Sequence, residues 1–242
     1  MNKALVTGAS GATGKRVVAE LLRRNIHVVA IMREGSSLTD IVGNQANYSE
    51  VTADISQLSE REVAAHLVGC GVVISCLGHK PTFKGVFGEP RRLVTDTLKK
   101  LISGVEGVAP DHKVKLILMN TSGNSNRDIP EKPPFSQRFV ISVVRFLLPP
   151  HRDNEQAADY LRTHIGQNHP IIEWVAVRPD SLINESEASA YRIFPSPIRN
   201  VIFNPGTTSR ENVAHFMASL AVDPDLWSVW KGKMPVIYND AG

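Results

Sequence analysis

The sequence has little of what would make it disulfide-bonded, membrane-spanning, fibrous or nucleic-acid-binding. Its 2 cysteines, Cys70 and Cys76, form no CxxC and are too few for a disulfide framework or a zinc site, so a reducing, cytoplasmic setting is expected. No apolar run approaches the roughly 20 residues of a membrane span. The longest candidate, Phe139 to Leu148, is broken by Ser142 and Arg145. Met1-Asn2-Lys3 leads straight into a strand-like segment, where a signal peptide would need a longer apolar stretch and a cleavage site. The net charge of +3 is too small to argue for nucleic acid, and Arg23-Arg24, Arg91-Arg92 and Lys99-Lys100 read as solvated helix faces. No His/Asp/Glu set shows metal-ligand spacing, so no metal is expected. Gly and Pro are not in excess and no repeat occurs. The 242 residues, 42% of them hydrophobic, suffice for one large α/β core.

Short apolar runs alternate with amphipathic stretches, the pattern of successive βα units on a parallel sheet. Ala4-Leu5-Val6 predicts a first strand, Val28 to Met32 a second and Tyr48 to Thr52 a weaker third. The continuous apolar run Val72 to Leu77 has the composition of a central strand buried on both faces. Lys115 to Met119 and Trp174 to Val177 predict strands five and six, and Met234 to Tyr238 a last one. Helical spacing of apolar residues follows the first strand (Val17, Val18, Leu21, Leu22) and recurs over Arg91–Ile102 and Arg210–Ala221. Phe139 to Leu148 predicts a buried helix stopped by Pro149-Pro150, and Asp153 to His164 a further helix. Residues 180–208 read as irregular. The expected fold is a Rossmann-like, doubly wound parallel sheet in three layers, a single domain over 1–242 with a small substrate-side region at about 180–242.

Between strand one and helix one lies Gly8-Ala-Ser10-Gly11-Ala12-Thr13-Gly14. The first glycine allows a tight strand-to-helix turn, the second lets backbone approach a pyrophosphate, and the third lets helix and strand pack closely. The helix N-terminus then directs N–H groups and a partial positive charge at the phosphates, with the Thr13 hydroxyl as a further donor. A dinucleotide is therefore expected there. Strand two ends Ala30-Ile31-Met32-Arg33 with no carboxylate for the ribose hydroxyls, and Arg33 can pair with a 2′-phosphate in a forked geometry. Ser36 and Ser37 offer hydroxyls nearby. NADP(H) is thus favoured over NAD(H), although Arg33 beside Glu34 also reads as a solvent-facing strand end.

Thr7 to Gly14, Met32-Arg33, Asp54-Ile55, Ser75-Cys-Leu-Gly78, Asn120-Thr-Ser122, Val177-Arg-Pro179 and Ser209 to Ala214 together resemble the atypical short-chain dehydrogenase/reductases. The nearest branch is the single-domain NAD(P)H-binding group of biliverdin reductase B (flavin reductase) type, with NmrA-like regulators close by. The resemblance implies that Asp54, with Ile55 beside it, caps the adenine amino group. It implies that Leu77 and Gly78 run under the adenosine ribose, that Thr121-Ser122 face the nicotinamide, and that Pro179 borders nicotinamide and substrate. Asp54 reads equally as a helix cap, and Ser122 as a turn residue.

Ordinary members of that superfamily carry Tyr-x-x-x-Lys as proton donor. Here Tyr48, Tyr160, Tyr191 and Tyr238 are followed four residues on by Thr52, His164, Pro195 and Gly242, so the pair is absent. Tyr160 and His164 read as a packing pair. Without a dedicated donor, hydride delivery to an isolated ketone is hard, whereas a planar conjugated acceptor delocalises the charge. Ser122, His79 after strand four and His151 after Pro149-Pro150 are the candidate catalytic residues, with surface-loop roles open for both histidines. The expected activity is an NADP(H)-dependent reductase of a flavin, quinone, tetrapyrrole or enone. The alternative is a non-catalytic dinucleotide sensor of NmrA-like type. The expected partner is a small molecule, with no nucleic acid or membrane, and the chain a monomer or small homo-oligomer. If Arg33 reads a 2′-phosphate, Arg33→Ala weakens NADPH binding by about tenfold or more, the size of one lost charge-assisted contact, and NADH by much less; titration calorimetry with both cofactors checks this, and equal losses refute it.

Overall fold

A computed structural model describes residues 2–79, 82–131, 140–141 and 148–240. Its elements follow the chain as β1 (Lys3–Thr7), α1 (Gly14–Arg23), β2 (His27–Met32), α2 (Thr39–Val42), β3 (Tyr48–Thr52), α3 (Glu60–Leu67), β4 (Val72–Ser75), α4 (Phe83–Phe87), α5 (Leu93–Val108) and β5 (Val114–Met119). Then come α6 (Pro149–Tyr160), which continues as a wider turn over Leu161–Ile165, and β6 (Ile172–Pro179), β7 (Ser181–Ile183), β8 (Tyr191–Phe194), β9 (Thr207–Ser209), α7 (Arg210–Val222), α8 (Pro224–Trp230) and β10 (Val236–Asn239).

The main sheet runs β3-β2-β1-β4-β5-β6-β10-β8. Every pairing in it is parallel except β10 with β8. Successive side chains of a strand point to opposite faces, and here both faces are covered. Ala4 and Val6 pack in one core with Val17, Leu21, Phe216 and Trp227, from α1, α7 and α8. Leu5 packs in the other with Val63, Leu67, Leu98, Ala157 and Leu161, from the α3, α5 and α6 side. This is the doubly wound, Rossmann-like α/β arrangement expected from the alternation of strands and helices. The order reverses between β1 and β4, so the carboxyl ends of the parallel strands open a crevice there.

The departures from expectation have local causes. Pro149 and Pro150 occupy the first positions of α6, because an orphaned first-turn N–H is what proline can omit. The helix expected at 139–148 lies largely outside the described residues. α3 was not evident from apolar spacing, yet a complete capping box of Ser59 and Glu62 starts it. The segment expected to be irregular, 180–208, contains β7, β8 and the start of β9. Their hydrogen bonds go to distant partners, β7 to β9 and β8 to β10, so a window of local sequence holds little sign of them. Tyr160 and His164 stack with ring centroids 4.3 Å apart, and Lys99 lies over the Tyr160 ring.

Candidate functional site

The glycine turn sits at the β1–β4 switch point. Gly8 has φ +69°, and a Cβ there would lie 2.8 Å from the Cys76 carbonyl carbon and oxygen. A Cβ on Gly14 would run into the Gly8 carbonyl. Both positions thus require glycine, because backbone fills the space a side chain needs. The Gly11 N–H donates to Gly8 O at 3.0 Å, and the N–H groups of Ser10, Ala12 and Thr13 make no hydrogen bond to the described chain. Ser10, Gly11 and Ala12 are exposed, whereas Thr13 is buried. The Thr13 hydroxyl makes no cap bond to α1. The result is an open concavity of unspent donors at a helix N-terminus, which fits a pyrophosphate.

On one flank Arg33 is exposed at the end of β2, and Ile55 is buried beneath the loop after β3. Asp54 Oδ1 accepts from the Ser56 N–H at 2.9 Å and from its hydroxyl at 2.7 Å, so it caps the turn that leads towards α3. The Ser56 hydroxyl bond, assisted by the Ser56 N–H and by Arg33 and Lys100, outweighs partial burial and holds the Asp54 carboxyl below its usual range. The Ser37 hydroxyl is spent on Glu50, which also accepts from Leu38 N–H and Tyr48. Leu77 is half-buried and Gly78 exposed where β4 ends.

On the other flank the β5–β6 ladder runs on past both strands. Asn120 N–H donates to Val177 O and Ser122 N–H to Pro179 O, at 2.8 and 2.9 Å. Thr121, Ser122 and Pro179 therefore line one ledge. His151, in the first turn of α6, lies against this ledge. A Cβ built on Gly123 would stand 3.5 Å from its Cε1, and its Nε2 is 3.5 Å from Glu155. His79 is placed differently. Its Nδ1 meets Gly85 O at 3.1 Å and its Nε2 meets Asp153 at 2.8 Å, so both nitrogens are engaged in holding the loop after β4 against α6.

Two residues that sequence reasoning passed over hold this flank in place. Asp153, almost fully buried, accepts from the first-turn N–H groups of Val94 and Thr95 as well as from His79. Burial alone would raise its carboxyl, but those hydrogen bonds outweigh it and keep the group low. Glu131 pairs with fully buried Arg178 at 2.7 Å. Arg178 also donates to the carbonyls of Met234, Asn124 and Pro195, joining β6 to the loop after β5 and to the segment after β8. A third, Asp180, follows Pro179 at the end of β6. Its carboxylate accepts from Gly206 N–H at 3.0 Å, and Ser122 lies near enough to favour its ionised form. The dipeptide Arg178-Pro179 marks this strand end in the sequence, but nothing local says what its neighbours touch.

The fold and the glycine cradle define a Rossmann-type dinucleotide-binding protein. The model of the NAD(P)H-binding family matches residues 8–224, and the chain belongs to that family. Among curated proteins none matches the sequence. Solved structures share the fold at low identity. A protein from Lactobacillus casei superposes with a TM-score of 0.72 at 16% identity, over 99% of this chain and 100% of that one. A short-chain dehydrogenase/reductase from Veillonella parvula, solved in complex with NADP, gives 0.70 at 11% identity, over 99% and 95%. A Streptococcus pneumoniae protein provisionally named an NADH-flavin reductase gives 0.66 at 16%, over 99% and 100%.

Removing one partner of the buried Arg178–Glu131 pair leaves an uncompensated charge, which costs about 3–5 kcal/mol. Glu131→Ala is expected to lower the melting temperature by about 10 °C, at roughly 2–4 °C per kcal/mol for a chain of this size. The double change Arg178→Met with Glu131→Leu is expected to lose less, because no charge is then left unpaired. Scanning calorimetry of both variants decides it, and an unchanged melting temperature in Glu131→Ala refutes the role given to the pair.

Proposed function

We propose that the protein is an NADP(H)-dependent oxidoreductase that reduces a flat, conjugated acceptor of flavin, quinone, tetrapyrrole or enone type. The observation that carries this reading is the ledge at the end of β5, where Ser122 and the His151 ring lie at the same carboxyl edge of the parallel sheet as the glycine cradle. When bound, the dinucleotide supplies the hydride. Ser10, Gly11, Ala12, Thr13 and the start of α1 would hold its pyrophosphate, Arg33 its 2′-phosphate, and Leu77, Gly78, Thr121 and Pro179 the remainder. Ser122 and His151 donate hydrogen bonds to the acceptor where negative charge builds up. His79 acts from behind, keeping the loop after β4 in place.

Apolar side chains left in solvent support the acceptor class. Phe83, Phe87, Leu148, Ile198, Ile202 and Phe203 are exposed, Phe83 at 82% and Phe203 at 60%. They lie on segments that follow β4, precede α6 and follow β8. Exposed apolar side chains on segments that leave the carboxyl edge of the sheet suit the binding of an apolar, planar ring system. The absence of Tyr-x-x-x-Lys fits an acceptor whose own conjugation spreads the charge. The reading takes the chain as a single domain whose residues from about 180 onward furnish the substrate side. It also takes the protein as a cytoplasmic monomer or small homo-oligomer, in keeping with the free thiols of Cys70 and Cys76. Among the described residues no helix is long and apolar enough to cross a membrane.

The test is steady-state NADPH oxidation with FMN and with menadione. Turnover well above the rate without protein is expected. It should fall by about 100-fold or more in Ser122→Ala, the scale of a lost proton or hydrogen-bond donor. Gly11→Asp should abolish it by placing a carboxylate where the phosphates sit. Tight NADPH binding with neither acceptor reduced would instead favour a sensor of the dinucleotide.

A further inference from the structure

Asp180 is a carboxyl group that the proposed reaction has not yet used. It directly follows β6, and because Met119 pairs with Val177 and Ser122 N–H donates to Pro179 O, Ser122 and Asp180 are neighbours across the extended ladder. Side chains at such positions emerge on the same face. The Gly206 N–H donates to the Asp180 carboxylate at 3.0 Å, the Ser181 N–H donates to Gly206 O at 3.1 Å, and Ser122 and Ser181 lie close enough to favour the ionised carboxyl. Three elements thus converge on one carboxyl: the loop after β5, the segment before β9, and the start of β7.

The surroundings are built closely. A Cβ on Gly206 would enter the Tyr238 ring and approach Arg199 Cδ at 3.3 Å, so the Gly206 amide reaches Asp180 only because the residue is glycine. The charged and titratable groups facing Asp180 are Arg199, from the segment after β8, and Tyr238, from β10. Burial raises the Asp180 carboxyl above its usual range, and the surrounding N–H donors, Ser122 and Arg199 only partly offset this. Burial and the nearby Asp180 push the Tyr238 phenol up to about 12, so it stays neutral and adds no charge of its own.

We propose that Asp180, acting through the Ser122 hydroxyl, supplies the proton that neutralises the reduced acceptor. This rests on the reductase reading above. The acceptor takes up a hydride and so gains two electrons and a negative charge on oxygen or nitrogen. The Ser122 O–H bond breaks as a new bond to that proton forms on the acceptor, while Ser122 recovers a proton from the Asp180 carboxylic acid. The resulting carboxylate is held by the Gly206 N–H until solvent reprotonates it. Asp180 is therefore a positioning and proton-supplying residue, and Ser122 is the group that touches the acceptor. The pair would take over the proton donation that Tyr-x-x-x-Lys performs in ordinary members of the superfamily.

Two measurements test this. The first needs no turnover: carbon-13 NMR of aspartate-labelled protein, with the Asp180 signal assigned by its loss in Asp180→Asn. Asp180 is expected to titrate above the other aspartates, and higher still in Ser122→Ala, since Ser122 stabilises the ionised form. Titration with the ordinary aspartates overturns the proposal. The second is the pH profile of menadione reduction. The wild-type rate should fall as pH rises through the Asp180 midpoint, because the acid form is the donor. In Asp180→Asn that limb should vanish and kcat drop by about 100-fold, with the KM for NADPH within about twofold. A wild-type profile in Asp180→Asn overturns the proposal while leaving the reductase reading intact. If the wild type reduces neither menadione nor FMN, the reductase reading is what fails, and the proton relay falls with it.

Discussion

The guanidinium of Arg178 is fully buried and its five N–H groups are all spent. They go to Met234 O, Asn124 O, Pro195 O and both oxygens of Glu131. A buried guanidinium left short of partners would cost several kcal/mol, so any packing that moves one of these segments away is disfavoured. This sets where the loop after β5 goes, how β10 enters the sheet beside β6, and where the chain turns after β8. Ser122 and Asp180 come to lie side by side because Arg178, two residues before Asp180, anchors both strand ends.

A second buried charge does the same for the opposite wall. α5 begins after Arg92, which offers no side-chain cap, and the unpaired first-turn N–H groups of Val94 and Thr95 are instead met by Asp153 from α6. A carboxylate at a helix N-terminus also interacts favourably with the helix dipole. The same carboxylate holds His79, and through it the loop that carries Phe83 and Phe87. The glycine cradle needs neither device. It is rigid because backbone packs directly on backbone at Gly8 and Gly14. The glycine turn is thus fixed by close approach, and the flank at the ends of β4, β5 and β6 by two buried ion-pair or capping ties.

The parts legible in the sequence were those whose signal is local. The seven parallel strands, α1 and α7 follow from apolar periodicity, and the dinucleotide turn follows from glycine spacing between a strand and a helix. The short strands β7, β8 and β9 were not legible, because three or four polar-to-mixed residues have no periodicity and their pairing partners lie far along the chain. Pro149-Pro150 was ambiguous for a different reason: proline both forbids continuation of one helix and suits the first turn of the next. The capping box at Ser59 and Glu62 was a local signal available to be read. His79 looked like a loop histidine on a ligand-facing edge, and its two ring partners, Gly85 and Asp153, come from elsewhere.

Gly8, Gly11 and Gly14 by their spacing marked a strand that turns tightly into a helix and leaves backbone donors facing outward, with glycine required by the φ and contacts at Gly8 and by the contacts at Gly14. The absent Tyr-x-x-x-Lys was equally plain in the residues. The sequence alone could not show that Asp180 meets Ser122, or that Asp153 caps a helix 58 residues away. Nor could it show that Glu131 neutralises Arg178. Each of these depends on side chains that share no helix turn or strand with their partners and meet only when the sheet is assembled. The tertiary structure decided them because a buried charge must be matched where it lies, whatever the distance along the chain.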